Sequence, residues 1–318
     1  SRFYASEPPL LPLLFRDRRA VTRAFVNNYF MVGYAPVGVD MGFERVDDHR
    51  YRTRDTMEIT RDAVEWLKAN KDERFFVFCN YNSPHEPWEP PPQFEKRVPP
   101  YPQGPGDYIT RRYMAEAAKD DEALGVLLHT IDELGLRDET LVVVTADHGE
   151  TLSSAHAGTL QLDKMPVRYH HAVSNYEETA RIPILIAGPK VPADVAVKAR
   201  VRNTDIAPTL LELEGLEVPA KMSGRSLLGL ARGAQEPEAR VVITEGRGTR
   251  AILWDKWRLL LREGPAKTTI HPDKTTTVAE ELYDLVDDPG ERYNLAPAKP
   301  ELVAELRARL DAAQKRAP

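Results

Sequence analysis

Two kinds of hydrophobic pattern alternate along the first two thirds of the chain. Short apolar runs at Arg74–Asn80 (RFFVFCN), Thr140–Thr145 (TLVVVT) and Ile182–Ala187 (IPILIA) read as buried strands. Ala20–Asn27 (AVTRAFVN) reads as a further short strand. Between them, Asp55–Asn70 places Ile59, Ala63, Trp66 and Leu67 at helical spacing. Arg111–Leu134 reads as a long amphipathic helix closed by Gly135, and Thr204–Glu214 as a helix with Asp205 in its first turn, ended by Gly215. Strands alternating with helices predict an α/β fold with a mostly parallel central sheet flanked by helices. After about Gly233 the pattern changes. Val241–Glu245, Thr249–Trp254 and Trp257–Arg262 are closely spaced strand-like runs, Trp254-Asp255-Lys256-Trp257 reads as a hairpin, and Glu301–Gln314 is a last amphipathic helix. The expectation is a domain over residues 1–233 and a small C-terminal antiparallel α+β subdomain over 234–318.

Composition narrows the class without naming it. A length of 318 residues allows roughly two domains. With 42% hydrophobic and 29% charged residues, the chain can fold around a core and is not disordered. The net charge of −6, with both signs interspersed, argues against nucleic acid or an anionic membrane as the main partner. No apolar run reaches the roughly 18 residues of a membrane span. The single cysteine, Cys79, excludes internal disulfides and cysteine-rich metal sites. Residues 1–14 lack an initial Met and the pattern of a signal peptide, so the chain reads as beginning inside a longer protein.

Candidate chemistry collects after two of the strands. Asp147-His148-Gly149 follows the run LVVV directly, and ligands of open parallel sheets bind beyond the carboxyl ends of strands. An anionic oxygen and an imidazole nitrogen adjacent on a tight turn can face one divalent cation, and Gly149 is expected to let the backbone bend there. Alone, such a pair reads more readily as a capped turn. After RFFVFCN comes Ser83-Pro84-His85-Glu86-Pro87-Trp88, where flanking prolines present His85 stiffly enough to serve an oxyanion or leaving group. Its plainer reading is a proline-rich surface loop. The stretch from His156 to His171 adds His170, Lys164 and Arg168, a concentration of cationic groups that suits a tetrahedral oxyanion. For Lys164, Arg168 and His170 individually, a solvated loop is the preferred reading.

TLVVVTADHGE, NYEETARIPILIAGP, VRNTDIAPTLLELEGL and ELYDLVDDPGERYNLA occur in this order, after FFVFCNYNSPHEPWEPP. Together they resemble the sulfatases of the alkaline phosphatase superfamily, from about Leu10 to the last helix. The resemblance implies an alkaline phosphatase-like α/β fold with a small C-terminal antiparallel subdomain. It implies that Asp147 and His148 are metal ligands, with calcium the first expectation and manganese or zinc compatible with the histidine. It implies catalytic roles for His85 against the substrate oxyanion or leaving-group oxygen and for His171 against the sulfate. His156 resembles a histidine of the segment after the metal motif, although Ser153-Ser154-Ala155 flank it here. The implied substrate is a small-molecule or glycan sulfate ester.

One family feature is missing from the sequence. Sulfatases carry a Cys-x-Pro-x-Arg or Ser-x-Pro-x-Arg motif whose first residue becomes formylglycine, and no such motif occurs in these residues. Cys79 lies within a strand, and Ser6 in SEPPL lacks the arginine. The family's first-strand aspartates for the metal are missing too. The expectation is therefore a sulfate-ester hydrolase whose nucleophile segment lies upstream, and which is inactive as this chain alone. The alternatives are a phosphate or phosphonate ester hydrolase of the same superfamily and a non-catalytic relative that binds an anion.

Overall fold

The computed structural model describes residues 10–28, 31–32, 42–49, 55–99, 107–152, 156, 160–162, 165–167, 171, 175–236, 240–246, 248–262, 269–270 and 277–316. Residue contacts divide the chain into two compact units, Ser1–Thr140 and Leu141–Pro318.

The first unit is built on a parallel sheet. After the short helix α1 (Leu11–Arg16), strands β1 (Val21–Val26), β2 (Arg45–Asp48) and β3 (Phe75–Cys79) pair in the order β2-β1-β3, all parallel. Alternation along β1 sends side chains to both faces. Ala24 and Val26 pack with Phe43, Val46 and Phe78, while Phe25 packs with Ile59, Ala63, Val77, Tyr81 and Leu127. The latter face is covered by α2 (Thr56–Ala69), whose N-cap Asp55 accepts the Met57 N–H at 2.9 Å. A single turn, α3 (Pro92–Glu95), precedes the long helix α4 (Asp107–Glu133). Helix α4 begins before the expected Arg111 and ends as expected at Gly135, whose φ of +72° closes the helix.

In the second unit, β4 (Val142–Thr145) leads into the candidate metal turn. Two short strands, β5 (Leu160–Leu162) and β6 (Met165–Val167), pair antiparallel, and a single helical turn, α5 (Glu177–Ala180), follows. Strand β7 (Ile184–Ala187) pairs with β4 antiparallel. An apolar run carries no record of strand direction, so this reversal within an otherwise parallel expectation was not readable in advance. The pair is also less covered than its composition implied: β4 is half-buried and Leu185 is 58% exposed. Helices α6 (Ile206–Leu213) and α7 (Leu228–Ala231) precede the C-terminal sheet.

That sheet contains β8 (Val242–Gly246), β9 (Thr249–Trp254) and β10 (Trp257–Arg262). The two-residue pairs β11 (Thr269–Ile270) and β12 (Thr277–Val278) intervene before β13 (Glu280–Asp284). The order is β13-β10-β9-β8, antiparallel throughout. Trp254 pairs with Trp257 across the expected hairpin, with Asp255 left-handed at φ +52° as a two-residue turn requires. The last helix, α8 (Pro300–Arg316), lays Val303, Leu306 and Leu310 on Ile252, Leu259, Leu261 and Leu282. Among the described residues, no helix is long and apolar enough to cross a membrane.

Candidate active site

Asp147 and His148 occupy the turn at the carboxyl end of β4. The Asp147 side chain is 63% exposed and that of His148 40%, so both can reach a ligand in solution. Asp147 Oδ1 accepts the His148 backbone N–H at 2.9 Å, which fixes the carboxylate. His148 Nδ1 stands 2.8 Å from the Gly149 carbonyl oxygen. A carbonyl only accepts, so Nδ1 carries the proton and Nε2 is the basic nitrogen. Nε2 lies 3.6 Å from Asp147 Oδ2, a separation that two ligands of one cation can have. The donor set, one carboxylate oxygen and one imidazole nitrogen, fits part of a divalent cation's shell. Among the described residues, no group of three or more His, Cys, Asp or Glu side chains gathers as a metal site.

Gly149 serves a different purpose from the expected bend. Its φ is ordinary, but a Cβ there would lie 2.1 Å from the backbone oxygen of Glu178. Its N–H donates to the Thr179 carbonyl at 2.8 Å. The Asp147–His148 turn is thus pressed against α5 at backbone distance, which only glycine permits.

His171 joins this turn. Its ring stacks on His148 with centroids 4.0 Å apart and planes 24° from parallel. Its Nδ1 donates to Glu150 Oε2 at 3.1 Å, and Glu150, 4% exposed, also accepts the Thr151 N–H. A buried carboxylate behind an imidazole fixes its orientation. His156 is placed otherwise. It is buried, stacks on Tyr176 at 3.7 Å, and points Nδ1 at Glu178 Oε1 (2.7 Å) and Nε2 at the Glu291 carbonyl (3.3 Å). Burial lowers its pKa, but the bond to Glu178 and the charges of Glu178 and Glu291 outweigh this and raise it. Both ring nitrogens therefore face internal acceptors, an arrangement that suits holding α5 in place. Lys164, Arg168 and His170 lie outside the described residues, as do Ser153–Ala155 and Ser6.

His85 belongs to the first unit. Its N–H donates to the Asn82 carbonyl at 3.2 Å, and its Nδ1 donates to the Glu86 carbonyl at 2.8 Å, which sets the tautomer. The loop around it is wired to two helices. Ser83 donates to Thr56 Oγ1 (2.7 Å), which donates to Asp120 Oδ1 (2.6 Å) on α4. Glu116, also on α4, accepts the Glu89 N–H at 3.1 Å, and Trp88 Nε1 donates to the Pro84 carbonyl at 2.8 Å. Burial pushes the Asp120 carboxyl up to about 7, against the opposing hydrogen bond from Thr56. Cys79 takes no part: burial raises its thiol to about 12, so it is not a thiolate near neutral pH.

A family model, Sulfatase, matches residues 12–216. The chain belongs to the sulfatase family. This sulfatase-family chain is 33% identical to arylsulfatase K of Rattus norvegicus over 201 residues, covering 61% of the chain and 33% of that protein. It is 33% identical over 180 residues to a Delta 4,5-hexuronate-2-O-sulfatase of Bacteroides thetaiotaomicron, covering 54% of the chain and 34% of that protein. The matched region thus spans about a third of these relatives. Among solved structures, BT4656, in complex with its substrate D-glucosamine-2-N,6-O-disulfate, superposes with a TM-score of 0.73. At 18% identity, over 99% of this chain and 83% of that one, it shows the α/β fold with its C-terminal antiparallel sheet.

Three contributors escaped the sequence reading: Glu150, Glu178 and Glu291. Glu178 and Glu291 lay inside motifs already singled out, NYEETA and DPGERYNLA, but no local pattern says that a carboxylate points at a histidine.

Proposed function

We propose that this sulfatase-family chain serves sulfate-ester hydrolysis, with Asp147 and His148 as two ligands of a divalent cation. The observation that carries the reading is the pair itself: a fixed carboxylate and a basic Nε2 3.6 Å apart on an exposed turn. Calcium is the first assignment, with manganese or zinc compatible with the imidazole. Such a cation, when bound, offsets negative charge on the ester's oxygens. His171, oriented by Glu150, faces the same turn, and in its doubly protonated form its Nε2 donates to a sulfate oxygen. His85, with its Nδ1 proton committed to Glu86, is assigned the substrate oxyanion or leaving-group oxygen through Nε2, which donates there when the ring is doubly protonated. A formylglycine nucleophile is assigned to sequence outside these residues, which hold no Cys/Ser-x-Pro-x-Arg motif. A sulfated sugar is the proposed substrate, supported by the hexuronate sulfatase relative and by the disulfated glucosamine bound to BT4656.

The test compares this chain with a version extended upstream, both purified from cells that form formylglycine. An aryl sulfate, a 2-O-sulfated uronate and an aryl phosphate serve as substrates. Sulfate release by the extended protein only, lost in Asp147→Ala, is the expected result. Turnover of the phosphate alone would replace the sulfatase reading with the phosphohydrolase one. Equal turnover by the short chain would place the nucleophile within these residues.

A further inference from the structure

The C-terminal motif ELYDLVDDPGERYNLA has no part in the chemistry above, yet it supplies the most unusual residue of the second unit. Glu291 is 3% exposed and sits at φ +50°, in the left-handed region that side chains with a Cβ avoid. Such a conformation persists only where surrounding contacts impose it. Here they do. Glu291 Oε2 accepts the Glu177 N–H at 2.6 Å, at the start of α5, while its own carbonyl faces His156 Nε2. Oε1 lies 3.5 Å from Nε of Arg258, itself 2% exposed. Arg258 donates from Nε to the Asn175 carbonyl at 2.7 Å and from Nη1 to Glu177 Oε1.

Residues 175–177 are therefore tied to β10 and the turn after β13 through a carbonyl, an N–H and a carboxylate. The next two residues hold the metal turn, since Glu178 accepts the Leu152 N–H at 3.0 Å and Thr179 accepts the Gly149 N–H. A buried ion pair is a poor substitute for apolar packing as a source of stability, but its hydrogen bonds are directional. A left-handed glutamate and a fully buried arginine at this point fix position rather than merely fill space.

We propose that Glu291 and Arg258 are positioning residues for the Asp147–His148 pair, so that the C-terminal sheet sets the geometry of the metal turn. This rests on the metal-pair reading given above. The chain acts on the turn through α5, with no contact between either residue and the cation.

The test uses the full 318-residue chain and two readouts. Hydrogen–deuterium exchange of the peptide over residues 147–152 reports the turn without any metal, and Mn²⁺ titration reports the pair. Leu306→Ala, in the core between α8 and the sheet, is the control for general destabilisation. Glu291→Ala is expected to speed exchange at Gly149 about tenfold more than the control does, through local opening. It is also expected to weaken Mn²⁺ binding by about tenfold, the usual effect of losing a group behind a metal ligand. Glu291→Gln retains an acceptor for the Glu177 N–H and should recover most of the protection. If Glu291→Ala does not fold, Arg258→Lys carries the test, since it keeps the charge but loses the fork. Exchange and Mn²⁺ affinity indistinguishable from the control, in whichever variant folds, would overturn the proposal. Asp147→Ala separates the two readings: if it leaves Mn²⁺ binding intact, the metal pair fails, while the exchange data still decide the clamp.

Discussion

The loop of His85 and the turn of Asp147 and His148 are held by different means. Around His85 the supports are prolines at 84 and 87, a tautomer set by the adjacent carbonyl, and hydrogen bonds to two carboxyl groups of α4, through the Ser83–Thr56–Asp120 relay and from the Glu89 N–H to Glu116, with no ion pair among them. Around the Asp147–His148 turn the supports are buried charges, brought from more than 100 residues away by the C-terminal sheet and the turn after it. A loop stiffened by its own backbone tolerates the loss of one side chain. A turn held by directional charge pairs does not, because removing one partner strands the other in a low-dielectric interior.

Several substitutions separate these two modes of support, and the largest effect belongs to the metal turn itself. Asp147→Ala, in the upstream-extended protein, should lower kcat/KM for a sulfate ester by roughly a thousandfold or more, because the loss of cation stabilisation is worth several kcal/mol. Steady-state kinetics at saturating Ca²⁺ would measure it. Arg258→Met should follow, leaving the buried Glu291 without its arginine at a cost of about 3–5 kcal/mol. Urea unfolding reports that loss directly. Gly149→Ala should cost about 1–3 kcal/mol, since the new Cβ must displace the Glu178 backbone from 2.1 Å. A thermal unfolding midpoint equal to that of the parent would show that the turn is not pressed on α5.

The smallest effect lies on the His85 side and has a definite sign. Asp120 titrates near 7 in the folded state, above its unfolded value, so the fold binds more protons than the unfolded chain between about pH 4 and 7. Its contribution to stability is therefore present at low pH and is lost as pH rises through 7. Asp120→Asn, which removes the ionisation but keeps an acceptor for Thr56, should gain stability relative to the parent as pH rises from 5 to 8. Stability curves taken at the two pH values would show the divergence, and parallel curves would remove Asp120 from the account.

The same contrast explains what could be read from the residues in advance. Strands β1, β3, β4, β7, β8, β9 and β10 and helices α2, α4, α6 and α8 followed from apolar spacing, and both glycine helix ends and the Trp254–Trp257 hairpin followed from turn chemistry. The Asp147–His148 pair was legible because adjacent residues on a turn must lie close together. Direction and distance were not. The antiparallel course of β7 left no trace in ILIA, and Gly149 suggested a bend while also serving close approach. The division of labour among the histidines was equally hidden. His171 and His156 lie in one histidine-rich stretch, yet one stacks on His148 and the other is enclosed between Glu178 and Glu291. Only long-range packing distinguishes them.

The central claim is that Asp147 and His148 form a cation site through His148 Nε2. Side-chain ¹⁵N spectra of the histidine-labelled chain, recorded during titration with Mn²⁺, address it most directly. The account predicts that His148 Nε2 broadens at substoichiometric metal, that Nδ1 stays in its protonated form, and that Asp147→Ala abolishes the response. Equal broadening of all eight histidines, unchanged by Asp147→Ala, would contradict it.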